Sequence, residues 1–255
     1  MELEAAIAGI WNALQRGVHF PAEWKGRFGV DEAYRVQLGV LERFLAAGER
    51  QAGWKVGLTA KAIQEQEGFH EPIFGFLLES GALASGAELD AVALIGPGFE
   101  NELCLTVGRP LQGPGVTRAQ ARAAIATVSP ALELVERRGT FSDAPALAIA
   151  DNVGQKGFVT GAPVPNPAPD FALADTKAEV TLNGTCIDRA EGSAVLGDPA
   201  EALAWLANKL AAVGRRIEAG QRVMSGSFTR GYPLAAGDRV ETRFDPFGTV
   251  TLRLR

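Results

Sequence analysis

The period of the apolar residues changes near residue 50, and that change constrains the fold more than any other feature of the chain. Before it, apolar side chains recur every three or four positions: Leu3, Ile7, Ile10 and Leu14, then Tyr34, Leu38, Leu41 and Leu45. Such spacing buries one stripe of a helix. Gly17 ends the first pattern and Gly48 the second, and Asp31 is placed to cap the start of the second. Residues 19–29 between them are irregular and carry Pro21 and Gly26. The first fifty residues read as a helical arm.

From Gly53 onward short strands and turns take over. Asn183-Gly184, between residues 179–182 and 185–188, predicts a hairpin, because both central positions of a two-residue turn take positive φ. The C-terminus alternates Val250, Leu252 and Leu254 with Thr251, Arg253 and Arg255. The 30 glycines fit a chain of many tight turns. Two helices interrupt the strands. Thr117 with Gln120 makes a capping box for one; Asp198, Pro199 and Glu201 open the other, with Leu203, Leu206, Leu210 and Val213 inward and Gly214 at its end. No repeat or long linker is visible. The expected fold class is α+β and β-dominated, with the arm and first strand in residues 1–80 and a β-rich catalytic domain in 81–255.

Composition removes several classes of function. With 47% apolar and 22% charged residues, the chain is globular in character. A net charge of −5 argues against a nucleic-acid or anionic-membrane partner. Met1-Glu2-Leu3-Glu4 lacks a basic leader and no apolar run reaches spanning length, so a cytoplasmic protein is expected. Cys104 and Cys186 have no Cys or His at ligand spacing, which leaves them as reduced, small, buried residues.

The informative polar residues lie inside apolar strands. In Phe99-Glu100-Asn101-Glu102-Leu103-Cys104-Leu105-Thr106-Val107, alternation puts Phe99, Leu103, Leu105 and Val107 on one face and both glutamates on the other, roughly 7 Å apart. Glu133 interrupts Pro130-Ala131-Leu132-Glu133-Leu134-Val135. Three carboxylates without His or Cys suit Mg²⁺ or Mn²⁺; a solvated strand face is the plainer alternative. Lys55, in Gly53-Trp54-Lys55-Val56-Gly57-Leu58, either snorkels outward or is held by an anion, and taken alone the first is favoured. Ser225-Gly226-Ser227 ends a strand with N–H groups and hydroxyls suited to a carboxylate, or is an ordinary turn.

In order along the chain, Trp54-Lys55-Val56-Gly57-Leu58-Thr59, Pro72-Ile73-Phe74-Gly75, Glu100-Asn101-Glu102, Gly113-Pro114-Gly115-Val116-Thr117, Pro130-Ala131-Leu132-Glu133, Asp151-Asn152, Ala194-Val195-Leu196-Gly197, Ala204-Trp205-Leu206-Ala207-Asn208, Ser225-Gly226-Ser227 and Ala236-Gly237-Asp238 resemble the hydratase/decarboxylase branch of the fumarylacetoacetate hydrolase superfamily. The resemblance implies that superfamily's mixed β-sheet fold, a Mg²⁺ or Mn²⁺ site at Glu100, Glu102 and Glu133, and an acid/base role for Lys55 assisted by Glu79. It further implies a substrate pocket touching Leu78, Asn152, Lys156, Gly226 and Ser227. The implied substrate is a small 2-oxo or 2-enol carboxylic acid from meta-cleavage of aromatic compounds. The implied reaction is hydration of a 2-hydroxy-2,4-dienoate to a 4-hydroxy-2-oxo acid. Decarboxylation of a 2-oxo dienedioate and a non-catalytic partner subunit remain open. A homo-oligomer is expected, with possible association with a paralogous pathway enzyme. The chain departs from the family pattern at Val153-Gly154-Gln155-Lys156, Glu79-Ser80 and Phe228-Thr229-Arg230. Lys156 either holds a second substrate carboxylate or belongs to a solvated loop.

Overall fold

The two helical stripes form α1 (Leu3–Gln15) and α2 (Val30–Ala46). Ile7 and Ile10 of α1 are buried, as are Tyr34, Leu38 and Leu41 of α2. Gly29 rather than Asp31 caps α2. Glu32 Oε2 reaches back to accept from Gly29 N at 3.1 Å, which starts the helix earlier and leaves Asp31 in the first turn. This computed structural model describes residues 3–167 and 171–255; Met1 and Glu2 of the acidic start lie outside them.

In chain order there follow β1 (Gln51–Gly57), α3 (Lys61–Gln66), β2 (Ile73–Leu78), β3 (Ala82–Ala84), β4 (Ala87–Leu89), β5 (Pro97–Val107), α4 (Arg118–Ala124) and β6 (Ile125–Glu136). Then come α5 (Pro145–Ala150), β7 (Gln155–Thr160), β8 (Val164–Pro165), β9 (Lys177–Leu182), β10 (Thr185–Glu191) and α6 (Pro199–Ala212). The last strands are β11 (Arg222–Met224), β12 (Tyr232–Pro233), β13 (Arg239–Asp245) and β14 (Gly248–Leu254).

The larger sheet runs β2-β1-β11-β5-β6-β7-β3. Because β3 continues β2 after one 3-10 turn, Glu79–Gly81, the order returns to its start and the sheet curls round on itself. Two glycines meet at the seam: a Cβ on Gly157 would lie 2.8 Å from the Gly81 carbonyl oxygen. Alternation sorts the side chains onto two faces. Trp54, Val56, Leu103, Leu105, Leu132 and Leu134 face outward into the main core. Their strand neighbours Lys55, Glu102, Cys104 and Glu133 face inward. There Ala52, Leu77, Cys104, Ala131, Phe158 and Met224 form a separate apolar cluster.

The arm walls this curled sheet from outside. Tyr34 stacks on Phe74 at 4.3 Å between centroids, and Phe44 meets Phe76 edge-on at 6.0 Å. Buried Gln37 of α2 donates to the carbonyls of Phe74 and Ile149 at 3.1 and 2.7 Å, tying the arm to β2 and α5. Strands β1 and β2, grouped with the arm by their place in the chain, are hydrogen-bonded members of the larger sheet.

The second sheet, β10-β9-β13-β14-β4, holds the expected hairpin, with Asn183 at φ 52 and Gly184 at φ 80. Val250, Leu252 and Leu254 are buried as the alternation requires. The capping box of α4 is present, with Gln120 N donating to Thr117 Oγ1 at 3.3 Å and Thr117 N to Gln120 Oε1 at 2.8 Å. Asp198 Oδ1 caps α6 by accepting from Ala200 N at 2.7 Å, and Leu203, Leu206 and Leu210 are fully buried. Each such leucine contributes about 1.5–3 kcal/mol of burial. Val213 is only half-buried, because it lies just past the last turn as the C-cap residue. Cys104 is buried as expected, and burial pushes its thiol up to about 12. Cys186 is exposed, contrary to expectation, because β10 is an edge strand of the second sheet. Among the described residues, no helix is long and apolar enough to cross a membrane.

Candidate active site

Glu100 and Glu102 leave β5 on the inner face, while Asn101 between them turns outward. Asn101 is fully engaged: Oδ1 accepts from Thr242 Oγ1 at 2.7 Å and Nδ2 donates to Thr229 Oγ1 at 2.8 Å. The antiparallel register sets Glu100 directly opposite Glu133 of β6, so like charges face each other across the ladder. One oxygen from each of Glu100, Glu102 and Glu133 lies within 4.8 Å of the other two.

These carboxylates have too few donors. Glu102 and Glu133 expose no surface and Glu100 is half-buried. Glu102 Oε2 accepts from Gly226 N at 2.7 Å, but Glu102 Oε1 and both oxygens of Glu133 accept no hydrogen bond. Gly226 is what brings that N–H so close: it sits at φ +103, and a Cβ there would lie 2.4 Å from Thr59 Cγ2. Burial raises Glu100 to about 7, helped by the charge of Glu133 and opposed by Lys55. Burial raises Glu102 well above the carboxylate range, with Glu133 and Glu100 adding to it.

Lys55 does not snorkel. It is 2% exposed, and its Nζ lies 3.2 Å from Glu133 Oε1, an ion pair without hydrogen-bond alignment. The curl of the sheet is the reason, because it turns the inner face of β1 towards β6. Burial alone would lower the Lys55 ammonium, but Glu133, Glu100 and Glu102 outweigh it and hold its pKa above the ordinary lysine value. Fully ionised, three carboxylates around one ammonium would leave two negative charges uncompensated in a buried space, and the raised Glu100 and Glu102 are the protein's answer to that excess, which protons relieve. Oxygen-only donors, orphaned lone pairs and that excess charge fit a hard divalent cation.

The remaining sequence-derived candidates divide. Gly226 joins the cluster, and Ser227 beside it accepts from Asn101 N at 3.2 Å. Glu79 does not join. Lys55 pairs with Gly75, so Glu79 lies four residues further along, roughly 13 Å away. There it pairs with Arg222 at 2.6 Å, whose guanidinium covers the Phe158 ring. Leu78, Asn152 and Lys156 instead line a cavity of about 470 Å³ outside the curled sheet. Lys156 is exposed there, 3.7 Å from Glu136 Oε1. The Asn152 carboxamide is occupied at both ends: Oδ1 accepts from Phe76 N at 2.8 Å and Nδ2 donates to Phe76 O at 3.0 Å.

Sequence reasoning missed the polar network beside that cavity. Arg138 Nε donates to Glu136 Oε2 at 2.8 Å and Nη1 to Asp151 Oδ2 at 3.2 Å, and His19 Nδ1 lies 3.3 Å from Asp151 Oδ1. Nothing in the spacing of these residues announces their meeting, although Asp151 stood within a matched motif.

The model of the fumarylacetoacetate (FAA) hydrolase C-terminal region matches residues 46–255. The chain belongs to the fumarylacetoacetate hydrolase family. Within it, 2-hydroxyhexa-2,4-dienoate hydratase of Comamonas testosteroni is 39% identical over 227 residues, 88% of this chain and 86% of that protein. The 4-oxalocrotonate decarboxylase of Pseudomonas sp. (strain CF600) is 35% identical over 223 residues, 87% of this chain and 84% of that one. The solved 4-oxalocrotonate decarboxylase from Pseudomonas putida G7, complexed with magnesium and adipate, superposes with a TM-score of 0.92 at 31% identity. It covers 100% of this chain and 97% of that one. These family relatives are a hydratase and decarboxylases, both classes of lyase, and the hydratase/decarboxylase branch is the one the motifs resembled. The strand-rich α+β architecture agrees with the fold expected.

Proposed function

We propose that the protein is a metal-dependent hydro-lyase that hydrates a 2-hydroxy-2,4-dienoate to a 4-hydroxy-2-oxo acid. The observation that carries this reading is the buried trio Glu100, Glu102 and Glu133, short of hydrogen-bond donors and facing a buried lysine. The three glutamates are the residues that would hold Mg²⁺ or Mn²⁺. When bound, such an ion supplies a Lewis acid for the 2-oxo acid end of the substrate.

The chain's own groups then account for proton movement. In ketonisation the 2-hydroxyl proton is lost and C5 gains one, and the resulting 2-oxo-3-enoate is electrophilic at C4. Water then adds as hydroxide at C4 and a proton at C3. Lys55 is the proton carrier, with a buried ammonium whose proton affinity reflects how much carboxylate charge stands uncompensated beside it. Gly226 N fixes the Glu102 carboxylate, and Ser227 keeps the neighbouring backbone of β5 in place through Asn101 N. Glu79, engaged by Arg222, is given no proton-transfer role. The protein is proposed to act in the cytoplasm on a small free acid, as a homo-oligomer able to associate with a paralogous pathway enzyme.

Decarboxylation of a 2-oxo dienedioate is the second reading, supported by the similarity to 4-oxalocrotonate decarboxylases in both sequence and fold. Purified protein with Mg²⁺ is added to 2-hydroxypenta-2,4-dienoate and, separately, to 2-oxohex-3-enedioate, and products are read by proton NMR. Metal-dependent 4-hydroxy-2-oxopentanoate is expected from the first. Carbon dioxide loss in the second alone would replace hydratase by decarboxylase, and silence in both would overturn the enzymatic reading.

A further inference from the structure

Lys55 crosses a curled sheet to reach Glu133, and its path is shaped by two residues outside the cluster. Its stem lies over Gly75, its partner in the β1–β2 ladder: a Cβ on Gly75 would sit 3.3 Å from both Lys55 Cγ and Cε. The same Cβ would sit 2.7 Å from Asn152 Oδ1. Asn152 therefore packs against the other side of the gap that Gly75 leaves. Its carboxamide holds the N–H and C=O of the next residue, Phe76, like a rung of a missing strand.

The turn that presents Asn152 is strained. Asn152, Val153 and Gly154 take φ of 59, 56 and 65 in succession, and a β-branched valine in that region is a true outlier. Such a turn persists only where its surroundings over-determine it. Arg138 does so from both flanks. Its Nη1 donates to Asp151 O and Oδ2 on one side, and its Nη2 donates to Gln155 O at 3.0 Å on the other. Gly154 closes the turn against β6, where a Cβ would lie 2.7 Å from the Glu136 carbonyl oxygen.

We infer that Asn152, presented by this clasped left-handed turn, is a positioning residue that sets the path of Lys55, with Arg138 acting through it. The inference rests on the reading of Lys55 as proton carrier. It also explains why an asparagine serves here. The carboxamide both accepts and donates along one strand edge, which neither aspartate nor leucine of similar size can do.

The test compares wild type, Asn152→Ala, Asn152→Asp and Arg138→Lys on whichever substrate the wild type turns over, with Mg²⁺ affinity measured by calorimetry. Asn152→Ala is expected to lower kcat about 10- to 100-fold, as a displaced reacting group does, with KM changed less than about threefold and Mg²⁺ affinity within about twofold. Asn152→Asp, which keeps the bond from Phe76 N, recovers part of the loss, and Arg138→Lys loses less than Asn152→Ala. A second readout needs no substrate: the rate at which an amine-reactive reagent modifies Lys55 in the metal-free protein, followed by peptide mass spectrometry. That rate rises about tenfold in Asn152→Ala. If the wild type proves inactive but Lys55 labelling rises in the variant, the functional reading falls and the positioning role stands. Unchanged kcat and labelling in Asn152→Ala, or a parallel loss of Mg²⁺ affinity, overturns the positioning role.

Discussion

Two groups of buried carboxylates lie in this molecule, and they are treated in opposite ways. Glu136 and Asp151 receive Arg138, backbone Ile95 N and His19, so their oxygens are supplied with donors. Glu100, Glu102 and Glu133 share one lysine and one backbone N–H. The first group behaves as structure, because satisfied ion pairs hold a turn. The second carries charge the fold does not neutralise, and a fold keeps such a deficit where a ligand supplies the remainder. What separates a metal site from a structural salt bridge here is the missing donor, not the number of acids.

The sharpest way to break this comparison is to remove one acid from each group. Glu102→Gln should lower Mg²⁺-dependent turnover at least about 10³-fold and weaken Mg²⁺ binding on calorimetry, yet raise the melting temperature of the metal-free protein at alkaline pH, because an acid whose ionisation burial and its neighbours penalise is gone. Asp151→Asn should do the reverse. It loses stability at the low end of about 3–5 kcal/mol, since Glu136 still pairs with Arg138, and leaves Mg²⁺ affinity in place. A destabilised Glu102→Gln apoprotein would show that the trio is structural after all.

Lys55→Ala comes next, with an expected fall in kcat of about 10²- to 10⁴-fold, the range of a lost general acid or base. Mg²⁺ binding should survive and tighten, because the competing cation has gone. Normal turnover in this variant would end the proton-carrier role.

A smaller effect separates the groups by pH. Glu100 is raised from 4.5 to about 7, so its contribution to stability is present below about 4.5 and is lost as pH rises through about 7. Glu102 is shifted in the same direction. The metal-free protein should therefore melt lower at pH 8 than its satisfied ion pairs alone would dictate. The gain in melting temperature on adding Mg²⁺ should be larger at pH 8 than at pH 5, where protons occupy the same oxygens. Equal gains at both pH values, read by scanning fluorimetry, would separate the metal from this cluster.

The reach of the sequence follows the same division. Alternation along β5 was enough to put Glu100 and Glu102 on one face, period located α1 and α2, and the Asn183-Gly184 turn signal located the hairpin. Those are local facts. Lys55 taken alone favoured a snorkelling side chain, and only the resemblance gave it an acid/base role, because its partner lies across a sheet whose curl no local pattern reports. Glu79 was set beside Lys55 as a carboxylate to share its proton, but the register of β1 on β2 carries it to the Arg222 end. The left-handed turn at Val153 ran against propensity, so only the clasp by Arg138 makes it intelligible.

The smallest expected effect concerns Lys156, which either holds a second substrate carboxylate or serves as a solvated side chain. Its side chain is 43% exposed and its ammonium approaches Glu136 only to 3.7 Å, a pairing worth no more than about 1 kcal/mol after solvent screening. It lines the outer cavity with Leu78 and Asn152, a cavity whose lining includes none of Lys55, Glu100, Glu102 and Glu133. Lys156→Ala should therefore change kcat/KM by less than about twofold on a monocarboxylate dienoate and on its dicarboxylate counterpart alike. The two substrates measured side by side make the check. A loss of tenfold or more confined to the dicarboxylate would mean that the far end of the substrate passes the Asn152 wall, and the outer cavity would then belong to the active site.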